Sequence, residues 1–381
     1  MNIKYITNVR IPTPRAQGYA IMKMCSEFAM AGARVELFVP SRKSNFKEED
    51  PFNFYQLPKD FVIRKIPSLD LLDKTFKFGR LLYWLDLLFF LIMAKMIVKP
   101  KKGEIIYTRD FITALAFSKD YFLCLELHDI PTSRFLFKWL IKRPKLFFVL
   151  NANLKRELIK LGIDQDNIQI KPSGVELKDF DLSQTKLEAR ESLDLPIDQR
   201  IVLYSGQFYS WKGVETLAQA AYLLPEVTFL FVGGIEPEYS QFVKKYGEQN
   251  NIIIRPFQDR KIIPLYMKAA DVLAITQSAK EKISSHYSSP LKMFEYMAAK
   301  RPIVAPDLPS IRETLNETNS VLVQPDDPSA FAQATEKILA DETFANKISN
   351  QAYQEVQKYA WSERAQSILE EIEKRCTSIV I

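Results

Sequence analysis

Histidine is nearly absent from this chain: His128 and His286 are the only two among 381 residues. That count excludes a three-histidine metal site. Cysteine is scarce too. Cys25, Cys124 and Cys376 are far apart, odd in number and without a CxxC pair, so they form no disulfide framework and fit a reducing cytoplasm. Neither GxGxxG nor GxxxxGK[ST] occurs, which removes the signatures of a dinucleotide oxidoreductase and of an NTPase. The opening MNIKYITNVRIP holds no apolar core of signal-peptide length, so nothing in it suggests export. A long uninterrupted apolar run is missing as well. The most apolar stretch, Leu81 to Val98, contains Asp86 and Lys95 and falls short of the 18 to 20 apolar residues of a spanning helix. It reads as a buried helix of its domain, or as one partly embedded in a membrane interface.

What is present describes a folded protein: 47% hydrophobic and 26% charged residues, in a chain long enough for two domains. The net charge of +6 is uneven. Residues 1–180 carry 30 basic and 19 acidic side chains, whereas the remainder carries 22 and 27. A basic half suits nucleic acid or an anionic membrane. No nucleic-acid motif accompanies it, so the expected partner is the membrane.

Strands at residues 2–7, 34–39, 61–66, 104–108, 122–127 and 146–150 alternate with helical or loop segments, which predicts a parallel sheet. Gly18 follows the first loop and opens a helix to Ala31, either as a turn residue or as part of a site. Thr132–Arg143 reads as a basic amphipathic helix with Arg134, Lys138 and Lys142 four apart, a solvated face or a membrane-docking one. His128 follows the strand ending at Leu127, where open α/β sheets bind ligands, although a lone histidine is more often structural. Arg109 ends another strand. Asp179-Phe180-Asp181 imitates a metal motif, but it lies in a linker rather than after a core strand.

The alternation resumes with strands near 201–205, 228–233, 251–255, 271–276, 302–305 and 320–324. Gly206 to Gly213, GQFYSWKG, leads from a strand into a helix, and Lys212 before that helix makes an anion site or an ordinary surface lysine. In His286–Ala298, Ser288 or Ser289 is the expected N-cap and Pro290 the first helical residue. Leu291, Phe294 and Ala298 form the apolar stripe. The helix start and Lys292 suit a phosphate, unless Lys292 and Glu295 are only a weak surface pair. Ser362 is expected to cap a last helix running to about Arg375.

The segment SSPLKMFEYMAAKRPIVAPDLPSIRE resembles the nucleotide-sugar motif of GT-B retaining glycosyltransferases of the group-1 (family four) type. Lys171-Pro172-Ser173-Gly174-Val175-Glu176 is similar to that family's interdomain crossover, with Ser173 in place of Asn. The resemblance implies an α/β protein with two doubly wound Rossmann-like domains facing across a cleft. It implies residues 1–175 on the acceptor side, 176–360 binding the nucleotide-sugar, and a helix at 361–381 packing back on the first domain. The last helix, read alone, belongs equally well to the second domain.

The implied reaction moves a sugar from a nucleoside diphosphate-sugar of the UDP or GDP type to a lipid-linked or polysaccharide acceptor with retention. No separate cofactor or metal is needed. The implied roles are donor phosphates on Lys212, Ser289, Leu291 and Lys292, ribose on Glu295, and the sugar positioned by His128. Gly18, Gly206, Gln207, Tyr287, Pro256 and Phe257 stand near the sugar or nucleobase. Besides Ser173, the chain departs from the family at three points: Gln207 replaces an Arg, Tyr287 replaces a first Glu, and Gln17-Gly18 replaces a double Gly. These leave open a catalytically decayed nucleotide-sugar-binding subunit, or an epimerase or hydrolase on the same fold. The expected location is the cytoplasm, peripheral on the inner face of the cell membrane.

Overall fold

Strands covered on both faces read as unbroken apolar runs, because neither side meets water. VTFLFV at Val227–Val232 is such a run, buried at every position. The computed structural model describes residues 1–42, 49–70, 79–117, 121–130, 137 and 141–380. The basic segment 132–143 therefore lies mostly outside the described residues.

Among the described residues the chain forms two α/β units, Met1–Pro172 with Trp361–Ile381, and Ser173–Ala360. The first unit holds β1 (Asn2–Ile6), β2 (Arg34–Pro40), β3 (Val62–Ile66), β4 (Ile105–Thr108), β5 (Phe122–Leu127), β6 (Leu146–Val149) and β7 (Ile168–Ile170). They make a parallel sheet in the order β3-β2-β1-β4-β5-β6-β7. The second holds β8 (Arg200–Ser205), β9 (Val227–Val232), β10 (Ile252–Arg255), β11 (Val272–Ala274), β12 (Ile303–Pro306) and β13 (Val321–Val323). Their parallel order is β10-β9-β8-β11-β12-β13. Each order reverses once, between β1 and β4 and between β8 and β11. Such switch points open crevices beyond the carboxyl ends of the strands.

The helix Trp361–Val380 belongs to the first unit. It packs on the helix Ala16–Met30, with Trp361 edge-on to Tyr19. Arg364 carries it to the sheet, donating to the carbonyls of Pro172 and Lys171 and pairing with Glu126 on β5 at 3.1 Å.

Three local readings need correction. The helix Gly79–Ile97 is not simply buried: one face packs inward and the other meets water. The sequence reading missed β7, whose three residues are too few to show a pattern. The helix Leu291–Ala298 has Pro290, in extended backbone at φ −69 and ψ 131, as its N-cap, and no side chain caps it. Neither serine is free for that work. Ser288 donates to the Ser284 carbonyl and accepts from Gln277, while Ser289 Oγ accepts from the Ser173 amide.

Candidate functional site

In the second unit the switch point is built from the loop after β8 and the start of the helix Leu291–Ala298. Gly206 sits at φ +139, a conformation that side-chain-bearing residues rarely adopt, and a Cβ there would lie 2.9 Å from Lys292 Nζ. The missing side chain is the space that the ammonium fills. Lys292 Nζ also stands 3.6 Å from the centre of the Tyr204 ring, a cation–π contact, and the Tyr204 hydroxyl donates to the Gln207 carbonyl at 2.8 Å. Gly213, at φ +63, ends the loop where a Cβ would meet the Thr276 carbonyl at 2.0 Å. Thr276, just past β11, donates to the Lys212 carbonyl. The loop carrying Lys212 is thus fastened to the neighbouring strand's end.

Lys292 feels the charge of Lys212. Burial pushes the Lys212 ammonium down to about 8. Lys292 is held well below the ordinary lysine value by burial first and the charge of Lys212 second, with Glu295 opposing. Two desolvated cations with one nearby carboxylate form a site short of negative charge. The first turn of the uncapped helix adds peptide N–H groups of Leu291 and Lys292 and the positive end of the helix dipole. Glu295, 8% exposed, accepts from Arg260 at 2.7 Å.

Of the residues singled out in sequence, Gly206, Gln207, Lys212, Leu291, Lys292 and Glu295 are gathered here, with Ser289 one residue before the cap. Ser289 Oγ accepts from Ser173, which leaves its own proton available to a ligand. Gln207 Oε1 is buried with no partner among the described residues. Tyr287 closes a π-helical turn, Ile283–Tyr287, with its ring edge-on to His286. Pro256 and Phe257 stand exposed on the turn after β10. Arg260, Tyr204 and Gln277 were missed. Arg260 is 35 residues from the carboxylate it binds, and no short-range pattern reveals such a pair.

Gly18 and His128 lie in the first unit. Gly18 is inside the helix Ala16–Met30, where a Cβ would strike the Tyr55 hydroxyl at 2.3 Å. That hydroxyl is held by Thr13, donating to its carbonyl and accepting from its amide. His128 follows β5 with its side chain about a third exposed (32%). Its Nε2 lies 2.7 Å from Glu126 Oε1 and 2.6 Å from an Arg109 nitrogen that is also 2.9 Å from Nδ1. Burial and then the Arg109 charge push its pKa down to about 4. Burial alone would raise the Glu126 carboxyl, but Arg364, the His128 hydrogen bond and Arg109 hold it well below the usual carboxylate value.

Both shifts act in one direction. The unfolded chain takes up a proton on His128 as pH falls below 6.5, while the folded chain resists until about 4. Stability of this unit is therefore expected to be greatest above about 6.5 and to decline between 6.5 and 4, with Glu126 adding to the loss at lower pH. Melting temperatures across that range should show the decline, and His128→Asn should flatten it. An unchanged slope in the variant would contradict the assignment.

Residues 185–355 match the family glycosyl transferases group 1. Among curated relatives it is similar to the D-inositol 3-phosphate glycosyltransferase of Xylanimonas cellulosilytica, 28% identical over 228 residues. That match covers 56% of this chain and 53% of the relative, so the chain spans about half the length of that relative. The fold is that of GT-B proteins. Sucrose-phosphate synthase from Thermosynechococcus elongatus superposes with a TM-score of 0.78 at 20% identity, covering 99% of each chain. HepE of Anabaena, in complex with UDP and glucose, gives 0.74 at 18% identity, covering 97% of this chain and 99% of its own.

Proposed function

We propose that this protein is a glycosyltransferase that moves a sugar from a nucleoside diphosphate-sugar to a saccharide or lipid-linked acceptor, with retention at the anomeric carbon. The observation that carries the reading is the pair Lys212 and Lys292 at the switch point of the second sheet, both desolvated and short of counter-charge. A leaving diphosphate supplies that charge.

The bond from the anomeric carbon to the diphosphate oxygen breaks, and a bond to an acceptor oxygen forms. The departing phosphate takes the acceptor proton, so no strong protein base is required. Preorganised cations and amides stabilise the charge that develops. Lys212, Lys292 and the amides of Ser289, Leu291 and Lys292 hold the phosphates in this reading. Glu295 receives the ribose hydroxyls, and His128 positions the sugar. Gly18, Gly206, Gln207, Tyr287, Pro256 and Phe257 border the sugar or base. No metal or separate cofactor takes part. The enzyme works in the cytoplasm at the inner face of the membrane, and among the described residues no helix is long and apolar enough to cross one.

Because HepE has been solved with UDP-glucose, UDP-sugars are the first probes, beside GDP- and ADP-sugars. A ligand that binds only the folded state at a hundred times its Kd stabilises by about 2.7 kcal/mol. One nucleotide class is expected to raise the melting temperature, and Glu295→Ala to remove that rise while the unliganded melt stays near that of the wild type. Full turnover in Glu295→Ala would sink the ribose role. Incubation with and without membrane extract separates transfer from hydrolysis or epimerisation, and the anomeric coupling in the product reports retention.

A further inference from the structure

The helix Gly79–Ile97 is inside out for one that faces water. Its single acid points inward: Asp86 is fully buried, pairs with Arg42 at 2.6 Å and accepts from the amides of Leu69 and Asp70. Leu87, Phe90 and Ala94 are buried on the same side. On the other side Leu81, Trp84, Leu85, Leu88, Ile92 and Met96 are each 46% to 60% exposed. At ~100° per residue these six fall within an arc of roughly 120°, and they extend over about 22 Å of helix. Lys95 shares the arc, and Lys99, Lys101 and Lys102 follow it, all exposed.

We propose that this face seats the protein on an anionic lipid surface, with the helix lying in the plane of the interface. The proposal deepens the membrane part of the reading above by naming the surface. Charge decides the occupant. In the sequence Lys74 and Lys77 precede the helix and Arg80 is its second residue. A second copy packed face to face in parallel would set Lys95, Lys99, Lys101 and Lys102 against their own counterparts. A bilayer has no such conflict: its acyl region takes the leucines, and headgroup phosphates meet the exposed Lys95, Lys99, Lys101 and Lys102. The buried Asp86–Arg42 pair fixes which side is presented, so the helix lies on the membrane rather than crossing it.

The test uses the full chain with vesicles of phosphatidylcholine, alone or mixed with phosphatidylglycerol. Wild type is expected to sediment with the mixed vesicles and to be released by salt. Leu88→Glu/Ile92→Glu should lower the bound fraction about tenfold, since charge then enters the apolar face. Lys99→Glu/Lys101→Glu/Lys102→Glu should weaken binding only to the anionic vesicles. Trp84 gives a second readout, a blue shift on binding that Trp84→Phe removes. Each variant is checked for an unaltered melt and for the nucleotide-sugar thermal shift, which separates failure of this surface from failure of the transferase reading. Absence of wild-type binding, or equal binding by the Leu88/Ile92 variant, overturns the proposal. So does a concentration-dependent dimer that this variant abolishes without any vesicle binding, which would assign the face to a second copy.

Discussion

Lys292→Met is expected to weaken binding of a nucleoside diphosphate about a hundredfold, because one partner of a buried charge pair is worth roughly 2 to 5 kcal/mol. The same substitution should also change the proton balance of binding. In the free protein burial and Lys212 disfavour the charged form of Lys292, and Lys212 itself is brought down to about 8. An arriving diphosphate restores the charged form of both, so wild-type binding is expected to consume protons.

Calorimetry at one pH in buffers of different ionisation enthalpy measures that uptake directly. Uptake should be largest in the wild type and reduced in Lys292→Met. Affinity in the wild type should also fall as pH rises past about 8, where free Lys212 loses its proton. Uptake that is the same in both proteins would show that Lys292 does not meet the ligand. Lys292→Arg offers no rescue, since the ammonium sits 2.9 Å from where a Gly206 Cβ would be, and a guanidinium is larger.

Arg364→Met is expected to destabilise the first unit by about 3 kcal/mol, the lower end for breaking a buried ion pair from one side. Arg364 is 7% exposed and Glu126 2%. Without Arg364, Glu126 keeps Arg109 at 3.5 Å, His128 at 2.7 Å and the Tyr107 hydroxyl, and two main-chain carbonyls lose a donor. Denaturant unfolding followed by near-ultraviolet signals should show the loss in one transition and leave nucleotide binding by the second unit intact. Adding Glu126→Gln should recover part of the loss, since the stranded charge is then gone. A double variant as unstable as the sum of the singles would mean that the pair is not coupled.

The parallel sheets were legible because their strands are apolar on both faces: IIYT at Ile105–Thr108 and IVAP at Ile303–Pro306 announce themselves without alternation. The glycine-bearing loop before Lys212 and the helix carrying Lys292 were legible for a similar reason, each being one short segment. What could not be read was pairing over distance. Gly206 needs no side chain because of Lys292, 86 residues later. Asp86 looked like an interruption of an apolar run, yet Arg42 makes it the anchor of that helix and turns the leucines outward. The double serine before Pro290 promised a cap by the usual local rule. Ser173 and Gln277 claimed those hydroxyls instead, and only the folded chain brings them near.

The passage of the chain from the first unit into the second and back again also sets an order of birth. Residues 173–360 form one unbroken span, whereas the first unit is closed by Trp361 onward. On a ribosome the second unit can finish before the first, which waits with Glu126 lacking its Arg364 until the last stretch emerges. The usual vectorial sequence, first made and first folded, is then expected to be reversed. The nascent first unit is then expected to stay sensitive to protease for longer than the second.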